Sequence, residues 1–322
     1  MRYTKIMGTG HYVPEHKLTN EDLKRYVETS DEWIYSRTGI KERRIVNNET
    51  TLDLAYKAAI NAIEAAKIEK SDIDLIIVAT VTSDYAFPGV ANLLQAKLDI
   101  PGIMAFDINA ACSGFIYGLQ VADKMIKSKA FNTALIVGAE TLTRLTDWRD
   151  RNTCVLFGDG AGAMVIGKSK KNKIKDIIAG SRGDTDMLLF CKNPELKNPE
   201  INEISMQDHI HMKGTEVFKF ASRIMPETIN TLLQRNEISV DDINLIIAHQ
   251  ANMRIIDKSA RDLGVDLSKM FVNIEKYGNT SAASVAIAID EAIKQKKLKR
   301  NDLFVTVAFG GGLTWAGALI EY

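Results

Sequence analysis

Short, uninterrupted apolar runs recur along the chain between longer stretches of helical spacing. SDIDLIIVAT (71–80) and DDINLIIAHQ (241–250) are the clearest pair, and IMAFDIN (103–109), MFVNI (270–274), TALIVGAE (133–140) and LFVTVAFG (303–310) continue the pattern. Continuous apolar runs, unlike alternating ones, fit strands buried on both faces, the situation of parallel sheets covered by helices. The intervening stretches match in pairs as well. EAAKIEK precedes the first run and LQRNEIS the second, and a helix near 89–98 answers one near 252–263. CSGFIYGLQVADKMIKS (112–128) answers TSAASVAIAIDEAIKQKK (280–297).

The order helix, strand, helix, strand, helix, strand therefore occurs twice. It predicts an α/β fold of two pseudo-repeated β-α-β-α-β halves, residues 1–170 and 171–322, with right-handed crossovers. The two long helices beginning at Cys112 and Thr280 are rich in Ala, Gly and Ser, which suits packing on every side. They are expected to be sandwiched between two sheets with further helices outside, five layers in all. A single doubly wound sheet is the alternative. GDGAGAMVIG (158–167) reads as a turn into a strand closing the first half. The polar stretch 181–215, with Gly183, Pro194 and Pro199, reads as a surface excursion.

Composition narrows the class. The 322 residues are 46% hydrophobic, and 41 basic side chains balance 41 acidic ones. That balance gives no general attraction to nucleic acid or an anionic membrane. No apolar run is long enough to span a bilayer, and no secretory h-region opens the chain. Three scattered cysteines form neither a disulfide framework nor a zinc motif, which fits a reducing, cytoplasmic setting.

Candidate chemistry gathers at the strand ends. Cys112, in NAACSGF, stands at a strand-to-helix junction, where backbone N–H groups and the macrodipole favour an anion. A thiol there is expected to have a lowered pKa and to act as a nucleophile; a small buried core cysteine is the plainer reading. Cys154 reads as core and Cys191 as incidental. His249 ends the run LIIAH, and ligands collect at the carboxyl ends of such strands. Asn279, in YGNTSAAS, occupies the second half's turn as the approximate counterpart of Cys112; turn or capping chemistry would also place Asn there. The duplication sets these three on one side of the molecule. FGGGLTW (309–315) adds unobstructed backbone N–H groups for an oxyanion hole with Cys112, an arrangement suited to acyl transfer. His209 and His211 lack a third ligand, so no metal site is expected. GDGAG lacks the Lys-Ser/Thr of a phosphate loop.

TSDEWIYSRTGIKERRI (29–45), AACSGF (110–115), FGDGAGA (157–163), HQANMRI (249–255), GNTSAAS (278–284) and FGGGLTW (309–315), in that order, resemble β-ketoacyl-acyl-carrier-protein synthase III over nearly the whole chain. The resemblance implies the thiolase-like fold and a decarboxylative condensation of an acyl-CoA primer with malonyl-acyl carrier protein, initiating fatty acid synthesis. It implies no cofactor, since the coenzyme A thioester is a substrate. Cys112 would carry the acyl group, His249 and Asn279 would stabilise the enolate, and the N–H groups of Cys112 and Gly311 would hold the oxyanion. Trp33, Arg37 and Arg151 match positions that contact coenzyme A. Phe87, Leu142, Phe157, Leu189 and Phe309 match acyl-pocket walls, with Phe87 reaching into a partner subunit and so implying a homodimer. Arg254, Lys258 and Arg261 form a basic stripe suited to an acidic carrier protein. Thr215 departs from the family pattern along the pantetheine tunnel. The same fold also serves synthases making polyketide starters or signal molecules, and non-catalytic carrier-binding subunits.

Overall fold

The computed structural model describes residues 2–193 and 208–322, so Pro194 and Pro199 lie outside the described residues. The first half contains β1 (Tyr3–Tyr12), β2 (Lys17–Thr19), α1 (Asp31–Thr38), β3 (Glu42–Arg44), α2 (Thr51–Ala66) and β4 (Leu75–Ala79). It continues through α3 (Val90–Leu98), β5 (Met104–Ile108), α4 (Gly114–Lys127), β6 (Thr133–Thr141), α5 (Arg151–Cys154) and β7 (Asp159–Ser169). The second half begins with β8 (Ile174–Ser181), β9 (Leu189–Phe190), β10 (His211–Met212), α6 (Gly214–Arg235) and β11 (Leu245–Ala248). It ends with α7 (Met253–Asp262), α8 (Ile274–Tyr277), α9 (Ala283–Lys294), β12 (Leu303–Gly310) and β13 (Thr314–Glu321).

One sheet has the order β1-β7-β6-β4-β5 and the other β11-β12-β13-β8. Every residue of β4 and β11 is buried, which is why their sequences carry no alternation. Three apolar clusters define the layers. Leu54, Ala58 and Ala62 of α2 and Leu94 of α3 cover the outer face of the first sheet. Met225, Ile229 and Leu232 of α6 and Ile256 of α7 cover the outer face of the second. Between the sheets, Phe115, Leu119 and Ile126 of α4 meet Val285, Ala288 and Ile289 of α9. The five-layered α-β-α-β-α arrangement expected from the repeat is thus present.

Four local expectations need correction. The sheets are mixed: β4 pairs in parallel with β5 and β6, and β11 with β12, while β7, β1, β13 and β8 are antiparallel. Burial on both faces erases alternation whatever the strand direction, so apolar runs do not report it. GDGAG is no turn; all but its first residue belongs to β7, and its glycines serve packing. A Cβ at Gly162 would lie 2.5 Å from the Ala286 Cβ and 2.6 Å from the Ile287 nitrogen on α9. MFVNI forms a single bridge, Ile246 to Met270, before α8 begins. The Gln250 side chain takes the N–H groups of Asn273 and Ile274 at 3.0 and 3.2 Å, which removes them from any ladder. The excursion is not only surface, because Leu188 and Ile210 are buried.

Glycine at 162 lets α9 lie against β7, and that contact seats the turn preceding α9. Gly162→Ala is expected to destabilise the protein by roughly 1–3 kcal/mol through overpacking. Denaturant unfolding at constant slope checks this, and an unchanged midpoint would contradict the packing role.

Candidate active site

The two halves reuse one backbone device at their strand-to-helix turns. Asn109 Oδ1 accepts from the Ala111 N–H at 3.2 Å, and Asn279 Oδ1 accepts from the Ser281 N–H at 2.9 Å. Ala111 and Ser281 both take left-handed conformations, with φ of 45° and 46°. Ser113 then bonds back to Ala110, as Ala283 does to Thr280, each at 3.1 Å. The counterpart of Asn279 is therefore Asn109, not Cys112; the residue matching Cys112 is Ala282. Each Asn stabilises a backbone that costs a non-glycine residue about 1–2 kcal/mol.

Cys112 sits in a 3-10 turn, Ala111–Ser113, that feeds α4. His249 follows β11, its N–H donating to the Val307 carbonyl at 2.8 Å. Asn279 is clamped as an isolated bridge to Phe157: its N–H donates to Leu156 O at 2.8 Å, and its carbonyl accepts from Gly158 at 3.0 Å. With Oδ1 engaged by Ser281, the Asn279 side chain is left with its NH2 group to offer. All three residues line one cavity of about 390 Å³. Phe157, Leu189, Phe309 and Gly310 line it as well. A Cβ at Gly310 would lie 2.7 Å from the Cys112 nitrogen, so this glycine allows the second sheet to reach Cys112. Gly311 follows it, with its own Cβ position facing Leu189 O at 3.1 Å.

Burial sets the charges here. It pushes the Cys112 thiol from an ordinary 9.0 up to about 12, a hydrogen bond with Ser281 pulls the other way, and the Glu140 charge adds to the rise. The lowered pKa expected from the helix terminus does not survive. A terminus contributes on the order of 1 kcal/mol, whereas a rise from 9.0 to about 12 corresponds to about 4 kcal/mol. Burial also holds His249 down at about 3. Its ring stands edge-on to Phe309 at 5.4 Å, and its Nδ1 is buried without a hydrogen-bond partner. At rest the site is a neutral thiol, a neutral imidazole and a neutral amide.

Trp33, Arg37 and Arg151 belong to the same cavity lining. Both guanidinium carbons lie 4.5 Å from the Trp33 ring centroid, a paired cation-π contact that leaves N–H donors for phosphate oxygens. Arg254 also lines the cavity and lies 5.4 Å from the Phe218 centroid. The basic stripe on α7 is weaker than expected. Lys258 pairs with Asp262 at 2.7 Å and Arg261 with Asp257, so two of its three charges have acidic neighbours on their own helix. Leu142 does not line the cavity but packs behind Phe157. Phe87 lies elsewhere and is 87% exposed. Cys154 is buried in a core cluster, and Cys191 lies beside the Leu142–Phe157 cluster. His211 stacks on Phe190 and bonds Asp208 at 2.9 Å. Among the described residues, no group of three or more His, Cys, Asp or Glu side chains is placed to hold a metal.

Sequence reasoning missed several residues. Phe218 and Met212 line the cavity beside Thr215. Asn252 caps α7 and donates to Arg37 O at 3.0 Å, tying the cavity mouth together. Its position before MRIIDK was a legible capping signal. Glu140, the last residue of TALIVGAE, and Ser281, inside GNTSAAS, are both buried and were not singled out.

Models of 3-oxoacyl-[acyl-carrier-protein] synthase III match residues 106–183, and of its C-terminal region residues 233–322. The β-ketoacyl-[acyl-carrier-protein] synthase III of Clostridium acetobutylicum is 47% identical over 100% of this chain and 99% of its own. The crystal structure of 3-oxoacyl-[acyl-carrier-protein] synthase III from Aquifex aeolicus superposes with a TM-score of 0.93 at 48% identity, covering 99% of this chain and 100% of that one. The priming β-ketosynthase of the R1128 polyketide pathway also reaches 0.93, at 31% identity over 99% and 96%.

Because His249 is neutral when folded but titrates near 6.5 when unfolded, the unfolded state binds the extra proton as pH falls. His249 therefore lowers stability between 6.5 and about 3, by on the order of 1 kcal/mol per pH unit. His249→Gln removes that dependence. The stability difference between variant and parent should shift in favour of the variant between pH 6.5 and 5, as measured by urea unfolding. A pH-independent difference would contradict a buried neutral imidazole.

Proposed function

The chain belongs to the 3-oxoacyl-[acyl-carrier-protein] synthase III family, and from that premise we propose how its own residues divide the work. The enzyme is an acyltransferase of the β-ketoacyl-acyl-carrier-protein synthase III type. Its reaction is the decarboxylative condensation that initiates fatty acid synthesis. The synthase III enzymes of Clostridium acetobutylicum and Aquifex aeolicus are 47% and 48% identical to this chain, against 31% for the polyketide priming enzyme.

The observation that carries the division of labour is that Cys112, His249 and Asn279 line one cavity with a Trp-Arg-Arg cluster. In the first half-reaction the Cys112 sulfur attacks the thioester of acyl-CoA and coenzyme A leaves as a thiol. Trp33 stacks the adenine, while Arg37 and Arg151 hold phosphate. The acyl chain lies against Phe157, Leu189 and Phe309, with Leu142 supporting Phe157. In the second half-reaction malonyl-acyl carrier protein takes the place of coenzyme A, its arm passing Thr215. His249 and Asn279 donate hydrogen bonds to the malonyl thioester oxygen. Carbon dioxide leaves, and the enolate is stabilised by two neutral donors. Burial keeps His249 neutral, so neither donor has to change its charge. The carbanion attacks acyl-Cys112, the Cys112 and Gly311 N–H groups hold the tetrahedral oxyanion, and 3-oxoacyl-carrier protein departs.

The enzyme works without a cofactor, as a cytoplasmic homodimer. The exposed Phe87 and the exposed Met104 on edge strand β5 support a subunit contact there. Arg254 leads the carrier-protein contact, with Lys258 and Arg261 contributing less because of their Asp neighbours.

Cys112→Ala should abolish acyl loading by mass spectrometry while still releasing carbon dioxide from malonyl-carrier protein. His249→Ala and Asn279→Ala should each cut carbon dioxide release by about 10²–10³ and reduce loading far less. Equal loss of both half-reactions in a folded variant would defeat this assignment. Arg254→Glu should raise the KM for the carrier-protein substrate about tenfold, with little change for acyl-CoA. An unchanged KM for the carrier protein would remove Arg254 from the docking surface.

A further inference from the structure

The turn that carries Cys112 is held from the opposite half by a side chain with no part in the reaction as described. Thr314 opens β13, and its backbone is fixed on both sides, paired with Gly310 of β12 and with Ser181 of β8. Residues paired across antiparallel strands direct their side chains to the same face. On that face Gly310 leaves a gap, and the backbone of the Cys112 turn fills it. A Cβ at Gly310 would lie 2.7 Å from the Cys112 nitrogen and 3.1 Å from the Ala111 Cβ. Thr314, beside the gap, reaches the same turn. Its hydroxyl lies 2.9 Å from the Ala110 carbonyl, 3.2 Å from the Ser113 hydroxyl and 3.2 Å from the Gly311 carbonyl. A hydroxyl has one proton to donate, and the Ala110 carbonyl is the nearest acceptor.

These contacts fall on the two segments that carry the oxyanion donors assigned above. Ala110 precedes Ala111, whose φ of 45° is disfavoured for a residue with a Cβ. The peptide after Ala111 carries the Cys112 N–H. Within the turn, Asn109 takes the Ala111 N–H at 3.2 Å, and the Ala110 carbonyl accepts from the Ser113 N–H at 3.1 Å. Thr314 adds a tie to that carbonyl from the second sheet. The glycine run with the other donor is itself pinned by backbone. The Arg182 N–H donates to Leu313 O at 2.8 Å, and the Asp184 N–H donates to Gly312 O at 3.0 Å. A firmly based hydroxyl therefore touches both segments at once.

The internal repeat does not call for this hydroxyl. β6 and β12 begin at 133 and 303, so Gly310 matches Glu140. The register pairs Glu140 with Gly160, so in the first sheet a glycine stands where the second has Thr314. The hydroxyl is present only in the sheet that meets Cys112.

We propose that Thr314 is a positioning residue for the oxyanion hole, its hydroxyl holding the Cys112 N–H in register with the Gly311 N–H. This rests on the reading that Cys112 carries the acyl group and that these two N–H groups hold the tetrahedral oxyanion. Donors of that kind act only when they lie about 2.7–3.1 Å from the developing oxyanion. A displacement of about 1 Å can cost about 10²-fold in rate. Substrate binding by Trp33, Arg37 and Arg151 does not pass through Thr314, and neither does enolate stabilisation by His249 and Asn279.

The test compares Thr314→Val, Thr314→Ala and Thr314→Ser in the full-length enzyme. Acyl loading from acyl-CoA is followed by rapid-quench mass spectrometry, carbon dioxide release from malonyl-carrier protein is measured in parallel, and a thermal midpoint checks folding. Thr314→Val puts a methyl group against a carbonyl, whereas Thr314→Ala leaves the space empty. The two share only the loss of the hydroxyl. Both are expected to lower kcat for loading about 10- to 100-fold, with the KM for acyl-CoA and carbon dioxide release each within about twofold of the parent. Thr314→Ser, which keeps the hydroxyl, should load within about threefold of the parental rate. If one of Thr314→Val and Thr314→Ala unfolds, the other decides. Parental loading without the hydroxyl overturns the inference, as does Thr314→Ser loading as slowly as the other two. Carbon dioxide release that falls in step with loading also overturns it, and unfolding of both variants makes the hydroxyl a structural requirement and does the same. A parent enzyme that takes no acyl group from acyl-CoA, or a Cys112→Ala variant that still takes one, overturns instead the reading on which the inference rests.

Discussion

The structure depends on how closely two buried helices and two sheets approach one another. A Cβ at Gly138 would strike the Ala282 carbonyl, one at Gly162 would strike α9, and one at Gly310 would strike the Cys112 nitrogen. Where these glycines stand, backbone meets backbone across the midline. The ends of β6 and β12 thus reach the turns of the opposite halves, and residues distant in sequence share one cavity. Larger side chains would separate the layers and take the thiol away from the imidazole.

The same closeness sets the electrostatics. Water is excluded from the floor of the cavity, so the thiol is pushed up and the imidazole held down, and both are neutral. Charge is left to the mouth, where Arg37, Arg151 and Arg254 line the opening. A neutral floor suits a reaction in which charge develops briefly on a thioester oxygen, because fixed dipoles in a dry site need no reorganisation. A cationic mouth suits an anionic carrier that must be exchanged between half-reactions.

The duplication explains the division of chemistry between the halves. One Asx turn, built on Asn109 and Asn279, shapes both strand-to-helix junctions. In the first half that turn delivers the residue after the strained position, Cys112. In the second it delivers the Asn itself. Matching the halves by motif alone set Asn279 against Cys112; the hydrogen bonds set it against Asn109. Likewise Glu140 and Gly310, each the eighth residue of its strand, β6 and β12, are equivalent by position and opposite in chemistry.

The sequence by itself determined the layered class, and it singled out Cys112, His249 and Asn279, which the fold brings to one cavity, because apolar runs and strand-end motifs are local and the repeat places one half relative to the other. Tertiary structure decided the rest. Strand direction in the mixed sheets was not legible, because two-sided burial gives every strand the same pattern. The thiol's protonation was not legible either, because a helix terminus is visible in sequence and the desolvation that overrides it is not. Lys258 and Arg261 looked like a free basic stripe until side-chain geometry paired them with Asp262 and Asp257. Glu140 and Ser281 lie in runs the sequence shows, TALIVGAE and GNTSAAS, but their burial exists only because distant segments are packed into contact.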